Sequence, residues 1–322
     1  MALRDHSTLS EILVIFLFAF SLFFVFYLQA RWLLHVLLKR SAPFWPGKRQ
    51  RPYTLALNAV AWTGLACVLY GFFIEPTNLE ITQVNLTSPR VSPKTGRLRL
   101  IHLSDIHADL NARNEPRAAA LINALDADLV LLTGDYLNDE AAIPVLRTFL
   151  SSLKAKHGVF AVKGNMDLGS DLPPSAFAGL SVPLLDKQWR DVDIRGTKVR
   201  VSGMEVGDEP FFKRFWASRK TPPPAFEVFL FHYTDLAYEA QSAGIDLYLA
   251  GHTHGGQIRL PFYGALVTLA KFGKRFEAGL YRLGNMSMYV SRGLGMEGGA
   301  APRVRFLCRP EITVIDVTAA AP

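Results

Sequence analysis

The N-terminal part of the chain contains two long apolar runs in which hydrophobic positions do not alternate with polar ones. The runs Ile12–Ala30 and Thr54–Ile74 contain no charged side chain. At the rise of an α-helix they would extend about 28 Å and about 31 Å, close to the thickness of the hydrocarbon core of a bilayer. We therefore predict a membrane anchor over residues 1–75 with two transmembrane helices, at about 12–30 and 54–74.

The loop between these runs carries positive charge, which predicts the orientation of the anchor. Its basic residues are Arg31, Lys39, Arg40, Lys48, Arg49 and Arg51, and no acidic residue lies between positions 31 and 53. Short loops rich in Lys and Arg stay on the cytoplasmic side of the inner membrane. The pattern therefore predicts a cytoplasmic loop and a C-terminal domain outside. The same loop accounts for part of the net charge of +7, and no basic stripe with interleaved aromatic residues indicates a nucleic-acid partner.

From residue 98 onwards, short β-rich runs are separated by helical segments. Residues 76–96 are polar, contain three prolines and are predicted as a linker. The first strands are predicted at Leu98–Leu103, Leu129–Leu132 and Val159–Val162, with helices at Pro116–Leu125 and Ala141–Leu153 between them. This alternation indicates a largely parallel sheet. Further strands are predicted at Asp191–Ile194, Val199–Val201, Glu227–Phe231, Leu247–Ala250, Gly279–Arg282, Met288–Val290, Arg305–Leu307 and Ile312–Ile315, and so many strands require a second sheet.

Polar clusters follow several of these strands directly. They are Ser104–His107 (SDIH), Gly134–Asp135 (GD), Gly164–Asp167 (GNMD), His232 and Gly251–Gln257 (GHTHGGQ). Because open α/β sheets collect ligand-binding groups at the carboxyl ends of their strands, we expect these clusters to converge. Carboxylate, amide oxygen and imidazole ligands suit Mn, Fe, Zn or Mg. The clusters therefore predict a site for two divalent metal ions.

The order D-x-H, G-D, G-N-x-D, H, G-H-x-H resembles that of the calcineurin-like metallophosphoesterases. The segments Tyr289–Gly295 (YVSRGLG) and Arg309–Ile312 (RPEI) are similar to those of the bacterial membrane-associated phosphodiesterase branch. The resemblance covers residues 97–318. It implies an α/β fold, a four-layer αββα sandwich of two mixed sheets. It also implies a hydrolase of phosphoric ester or diphosphate bonds that uses two divalent ions, with Mn expected first.

The resemblance also assigns the metal ligands. One ion would be bound by Asp105, His107 and His254, and the other by Asn165, His232 and His252. Asp135 would bridge the two ions, because cations about 3.5–4 Å apart repel each other strongly unless an anion lies between them. Asp135, Asn165 and Asp167 are the residues predicted to act in catalysis.

Met166 is a departure from the family pattern, which normally has His at this position. A thioether cannot donate a proton, so the neighbouring Asp167 would lack its usual partner. An alkoxide leaving group, with a conjugate acid of pKa near ~15, benefits greatly from protonation. A phosphate leaving group has a second pKa of ~6 and departs without help. Met166 therefore favours a diphosphate or another activated ester as substrate.

Three functions are compatible with these features. The UDP-2,3-diacylglucosamine hydrolase of lipid A synthesis belongs to the same superfamily and also lacks this His, which makes UDP-2,3-diacylglucosamine the first candidate substrate. That substrate is made in the cytoplasm, however, whereas the loop charge predicts a domain outside. The second reading, an exported phosphodiesterase acting on cell-envelope lipids or polymers, agrees with the charge. The third is a metal-binding membrane protein without activity. For either enzyme we expect the bilayer and a phosphorylated lipid or nucleotide-linked lipid as partners.

Basic residues near the motifs are candidate substrate contacts. They are Arg292 in the RGLG turn and Lys271, Lys274 and Arg275 downstream of the GHTHGGQ motif, since Lys and Arg bind phosphate groups. The segment Phe211–Trp216 (FFKRFW) interleaves two basic residues with four aromatic ones. It could contact lipid headgroups or cover an acyl chain, and an ordinary partly buried helix is the alternative.

Overall fold

Two long apolar helices precede the folded domain. The computed structural model describes residues 9–45, 50–169, 171–218, 225–298 and 303–320, so Lys48 and Arg49 of the basic loop lie outside the described residues. Helix α1 is Leu9–Leu37 and helix α2 is Gln50–Phe73. Both are long and apolar enough to cross a membrane. Side chains such as Phe16 and Trp62 are 72% and 63% exposed, as expected for helices whose surroundings are lipid rather than protein.

The domain contains two mixed sheets. The first sheet has the order β1 (Glu80–Ser88), β13 (Glu311–Ala319), β2 (Arg97–Leu103), β3 (Leu129–Thr133) and β4 (Val159–Val162). The second has the order β11 (Gly279–Leu283), β12 (Met286–Val290), β8 (Leu247–Ala250), β7 (Phe226–Leu230), β6 (Thr197–Gly203) and β5 (Gln188–Ile194). A short hairpin of β9 (Arg259–Leu260) and β10 (Gly264–Ala265) stands apart. The helices of the domain are α3 (Glu115–Ala124), α4 (Ile143–Ser152), α5 (Phe212–Ala217) and α6 (Ala237–Ser242).

Alternation within the strands produces the layers. In β2 and β3, Leu100 and Leu129 belong to the apolar core between the two sheets. Their neighbours Ile101 and Val130 point the other way and pack with residues of α3 and α4. On the second sheet, Phe229 lies in a third core with residues of α5 and α6. Strands buried on both faces have apolar side chains on both, so the predicted four-layer αββα arrangement is confirmed.

Two sequence predictions about strands need correction. Residues 76–96 were predicted as a linker, but Glu80–Ser88 forms β1 at the edge of the first sheet, parallel to β13. Gln83, Asn85 and Thr87 are exposed, whereas Val84 and Leu86 are buried, so one apolar face suffices to hold this strand. The predicted strand Arg305–Leu307 is reduced to a single bridge between Phe306 and Ile258.

The direction of the strands determines where the motifs meet. β2, β3 and β4 run parallel to one another, and so do β6, β7, β8 and β12. The motif residues follow the C-terminal ends of β2, β3, β4, β7 and β8. We call this end of the sandwich the carboxyl end, and the opposite end the amino end.

Candidate metal centre

The predicted ligands occupy an unusual backbone conformation. Asp105, His107, Asp135, His252 and His254 have positive φ values of 51°, 42°, 57°, 69° and 50°. This region is sparsely populated by residues other than glycine, and each such residue costs on the order of 1–3 kcal/mol. Strain of this kind persists where the surrounding structure fixes it, often at a functional site. Five such residues at the carboxyl end mark this end as the candidate site.

The first predicted ligand set forms one compact cluster. The ligand atoms of Asp105, His107 and His254 all lie within 4.8 Å of one another, and all three residues are buried. Nε2 of His254 lies 3.1 Å from Nε2 of His107 and 3.3 Å from Oδ1 of Asp105. Imidazole nitrogens and a carboxylate oxygen that converge in this way fit a divalent cation.

The second set forms a neighbouring cluster. Asp135, His232 and His252 also have ligand atoms within 4.8 Å of one another. The predicted amide ligand, Oδ1 of Asn165, is buried and has no hydrogen-bond partner among the described residues. A buried polar atom without a partner is costly. A cation at this position would supply the missing partner, and the assignment of Asn165 to the second metal stays a prediction.

Asp135 lies between the two clusters. Its Oδ2 is 3.2 Å from Nε2 of His232, in the second cluster, and 3.7 Å from Nε2 of His107, in the first. Its Oδ1 accepts a hydrogen bond of 2.9 Å from the backbone N–H of Met166. The carboxylate therefore stands where a bridging ligand would stand.

Outer hydrogen bonds orient the histidine rings. Nδ1 of His232 is bonded to the carbonyl of Thr133, and Nε2 of His252 lies 3.1 Å from the carbonyl of Leu269. These bonds fix the orientation of each ring relative to the centre, as groups hydrogen-bonded to metal-binding histidines do. Nδ1 of His107 is paired with Oδ1 of Asn138 at 3.0 Å. Sequence analysis missed Asn138, and its place three residues after Asp135 is the one signal that could have indicated it.

Glycines allow the ligand loops to approach one another. A Cβ on Gly164 would lie 2.7 Å from the backbone nitrogen of Asp135. A Cβ on Gly293 would lie 2.7 Å from Cβ of Asp105, and the φ of Gly293 is 77°. The next residues, Leu294 and Gly295, donate backbone hydrogen bonds to the carbonyls of Ser104 and Asp105. The RGLG motif thus holds the first ligand loop in place.

The buried charges of the two clusters shift the pKa values of the ligand residues. Burial raises the pKa of Asp105 to about 7; the charge on His232 opposes this shift and that on Asp135 adds to it. The pKa of His232 rises to about 10 despite its burial, because Asp135 and Asp105 face it. Burial would raise the pKa of Asp135 too, but His232 and His107 hold it below its usual value. A proton on His232 here compensates carboxylates that metal ions would otherwise compensate, so the donor set fits two divalent ions.

The carboxylate of Asp167 is bonded to backbone N–H groups of two ligand loops. Its carboxylate accepts hydrogen bonds from the backbone N–H groups of Asp135 at 2.6 Å, Tyr136 at 2.9 Å and Gly164 at 2.8 Å. The side chain is fully buried. Asp167 therefore fastens the loop after β3 to the loop after β4. These bonds indicate a positioning role, and a role of Asp167 in catalysis stays a prediction.

The predicted substrate contacts are mostly engaged elsewhere. The guanidinium of Arg292 bonds to Glu80 at 2.8 Å and to Glu311 at 2.9 Å. Nζ of Lys274 bonds to the carbonyls of Tyr263 and Ala265. Both residues therefore help to hold the domain together, and their contact with substrate stays a prediction.

Lys271, Arg275 and the FFKRFW segment were also predicted to contact substrate or lipid. Lys271 lies over the ring of Phe272 at 5.5 Å and Arg275 over that of Tyr238 at 5.4 Å, and their contact with substrate stays a prediction. Most of the FFKRFW segment belongs to α5. Its Phe212 and Phe215 are buried in the core, as in the ordinary-helix alternative.

Comparison with known proteins agrees with this site. The calcineurin-like phosphoesterase profile matches residues 98–256. The uncharacterized metallophosphoesterase YkuE of Bacillus subtilis is 30% identical over 81% of this chain and 93% of its own. The phosphodiesterase YaeI of Escherichia coli is 31% identical over 77% of this chain and 92% of its own. The UDP-2,3-diacylglucosamine pyrophosphatase LpxG of Chlamydia trachomatis is 23% identical over 81% of this chain and 96% of its own. The protein therefore belongs to the calcineurin-like phosphoesterase family and is a metal-dependent hydrolase of phosphoester bonds.

Proposed function

We propose that this protein is a membrane-anchored phosphohydrolase that uses two divalent ions to cleave a phosphodiester or diphosphate bond in a lipid-linked substrate. The observation that carries the proposal is the position of Asp135 between two clusters of buried ligands. The apolar helices α1 and α2 support the membrane part.

The chain contributes binding and orientation to this chemistry. Two divalent ions, when bound, polarise a phosphoryl oxygen and lower the pKa of water to supply a nucleophile. Asp105, His107 and His254 would hold one ion, and Asn165, His232 and His252 the other. Asp135 contributes the negative charge between them. Carboxylate and imidazole ligands suit Mn, Fe, Zn or Mg, and Mn is the metal that we expect first.

The position of Met166 supports a leaving group that needs no proton. Its backbone N–H donates to Asp135, so residue 166 is held beside the bridging carboxylate. Its thioether has no proton to give. A phosphate leaves readily without one, which makes UDP-2,3-diacylglucosamine the first named candidate. The relative LpxG carries that substrate in its name.

An exported phosphodiesterase acting on cell-envelope lipids or polymers is the second candidate. The N-terminus of α1 and the C-terminus of α2 both contact the domain, so the basic loop lies at the opposite end of the helix pair. With that loop in the cytoplasm, the domain is outside. The relative YaeI is named as a phosphodiesterase.

The experiment that tests the proposal uses the full chain, purified in detergent. Metal content by mass spectrometry should show two ions for each chain. Bis(4-nitrophenyl) phosphate and UDP-2,3-diacylglucosamine are the two substrates, each with Mn and with a chelator. Asp193→Asn, which changes an exposed carboxylate at the amino end, is the matched control for ligand variants. Bound metal without hydrolysis of either substrate would favour the metal-binding protein without activity.

A reporter fusion decides between the two candidates. A periplasmic reporter after Pro322, which lies outside the described residues, should be active if the domain is exported. An active cytoplasmic reporter would remove the second candidate and leave the lipid A precursor as the favoured substrate.

A further inference from the structure

The apolar surface of the domain is concentrated at one end. Outside α1, α2 and the adjoining Leu38 and Ile74, the described residues have exposed large apolar side chains at Ile81, Leu110, Phe211, Phe262, Leu280 and Leu307, with Tyr263 beside Phe262. Phe262 is the most exposed of them, at 111% of its reference area. Single exposed apolar side chains are common, but a one-sided distribution indicates a contact surface.

Strand register places these residues at the carboxyl end. Leu110 follows β2, and the segment with Phe211 follows β6. Ile81 of β1 pairs with Ile312 of β13. The next residue of β13, Thr313, pairs with His102 near the C-terminal end of β2, so Ile81 lies at this end too. Leu280 pairs with Tyr289, next to the last residue of β12. The apolar side chains therefore share the end at which the metal ligands lie.

The amino end exposes charged side chains. Arg90 lies in the turn after β1, Arg97 at the start of β2, and Asp126 and Lys156 in the segments before β3 and β4. The side chains of these four residues are 40% to 70% exposed. Charged groups suit water and not lipid, so the amino end, where none of the described residues exposes a large apolar side chain, faces water.

The membrane helices join the domain at the carboxyl end. Glu11, at the start of α1, accepts hydrogen bonds from the backbone N–H of Thr268 at 3.1 Å and from its hydroxyl at 3.0 Å. At the end of α2, the carbonyl of Gly71 accepts a bond of 3.1 Å from the backbone N–H of Arg305. Both bonds lie where an apolar helix meets the domain. The edge of the bilayer therefore passes close to Thr268 and Arg305.

The β9–β10 hairpin brings Phe262 to this edge. The hairpin ends three residues before Thr268. At its base, Arg259 donates a bond of 2.9 Å to the carbonyl of Gly255 in the metal loop. At its tip, the ammonium of Lys274 lies 4.0 Å from the centre of the Tyr263 ring. An aromatic tip with a cation behind it suits the boundary between acyl chains and phosphate headgroups.

We propose that the carboxyl end of the domain rests on the bilayer that holds α1 and α2, with Phe262 inserted among the acyl chains, and that the metal centre takes its substrate from the lipids of that surface. The second half of this inference rests on the proposed function. The first half, the contact with the bilayer, does not.

A depth measurement tests the contact without any activity. Phe262→Cys in a Cys67→Ser background would carry a nitroxide label, since Cys308 is buried. The full chain is placed in vesicles of phosphatidylcholine and phosphatidylglycerol, and collisions with oxygen and with a water-soluble nickel complex are compared. We expect a label at Phe262 to meet oxygen and be shielded from nickel. The control, Lys94→Cys at the amino end, should show the reverse. Equal access of nickel to both labels would overturn the inference.

Two probes with the same leaving group test the source of the substrate. One is hexadecyl 4-nitrophenyl phosphate in these vesicles, and the other is soluble bis(4-nitrophenyl) phosphate. Phe262→Ser should lower the ratio of the vesicle rate to the soluble rate by about tenfold, the order of magnitude for losing one buried aromatic side chain. Lys94→Ser should leave the ratio unchanged. An unchanged ratio in Phe262→Ser, with both probes hydrolysed, would overturn the inference while the proposed function stands. A shielded label without hydrolysis of either probe would overturn the proposed function instead.

Discussion

The carboxyl end and the amino end of the sandwich satisfy their buried polar groups in different ways. At the amino end, Asp128 is paired with Arg195 at 2.6 Å, and at mid-sheet Asp316 is paired with Arg99 at 2.8 Å. At the carboxyl end, carboxylates and imidazoles crowd together, and Oδ1 of Asn165 has no partner among the described residues. Protein groups alone neutralise these buried carboxylates at the amino end, whereas the ligand clusters at the carboxyl end need cations for this purpose. The amino end thus contributes to stability alone, whereas the carboxyl end contributes to both stability and function.

The largest expected effect comes from removing the shared anion of the carboxyl end. Asp135→Asn should lower hydrolysis of bis(4-nitrophenyl) phosphate by about 10³-fold or more, because it removes charge stabilisation at the reacting centre. It should also lower the bound metal below two ions for each chain, measured by mass spectrometry. Asp193→Asn should keep full activity and metal content. Full activity of the native protein in the presence of a chelator would contradict the two-metal site.

The next effect separates positioning from catalysis. In Asp167→Asn, the new amide group would face backbone N–H groups that need acceptors, so we expect a loss of about 2–3 kcal/mol of unfolding free energy. Activity should fall with it, but the residual activity should keep the pH profile of the native protein. Denaturant unfolding in detergent and a rate profile over pH measure the two effects. A shifted pH profile would instead support the catalytic role predicted from sequence.

Met166→His tests whether the leaving group needs a proton, and its expected effect on the hydrolysis rate is of intermediate size. A His at this position would provide a proton donor beside the bridging carboxylate. General acid assistance is worth about 10²–10⁴-fold when fully positioned. Because the oxygens of Asp167 are occupied by backbone N–H groups, the new ring lacks an orienting partner, and we expect the low end of that range.

The enhancement should be confined to alkyl phosphodiesters. The ratio of rates on an alkyl phosphodiester and on UDP-2,3-diacylglucosamine is the measurement, with Met166→Leu as a control that supplies no proton. Equal enhancement on both substrates would mean that the site is impaired rather than specialised for diphosphates.

The smallest effect concerns the amino end alone. Burial acts to raise the pKa of Asp128, but hydrogen bonds from Arg195 and from the backbone of Arg99 lower it overall. A carboxylate with a lowered pKa stabilises the fold above its unfolded pKa of about 3.9 and loses this contribution as the pH falls below that value.

Asp128→Asn should therefore cost about 1–2 kcal/mol at pH 7, a range reduced because Arg195 is partly exposed. The difference from the native protein should shrink below about pH 4. Unfolding in detergent with a chelator isolates this effect from the metal site. Activity at pH 7 with Mn should stay unchanged, and a loss of activity would show that the two ends are coupled.

The ligand residues were predictable because each follows an apolar strand directly. Parallel strands bring such residues together, and the resemblance to the family assigned them to the two ions. The part played by Asp167 was not predictable, since its partners are backbone N–H groups that carry no sequence signal. The ion pair of Arg292 was not predictable for a similar reason: its partner Glu80 is distant in sequence and lies in a strand that the polar composition concealed. Asn138 was missed because it binds a ligand ring and not the metal.

The short connection between α2 and β1 has a kinetic consequence. Only a single turn at Glu75–Thr77 separates the second helix from the first sheet, and the carboxylate of Glu75 is bonded to the backbone N–H groups of Leu307 and Cys308. Under the proposed anchoring in a bilayer, this connection would keep the domain near the surface rather than on a long tether, and the contact of Phe262 would set its final position. For a substrate in the bilayer, encounter becomes a search in two dimensions, whose frequency depends on the mole fraction of that lipid in the surface and not on its concentration in the suspension.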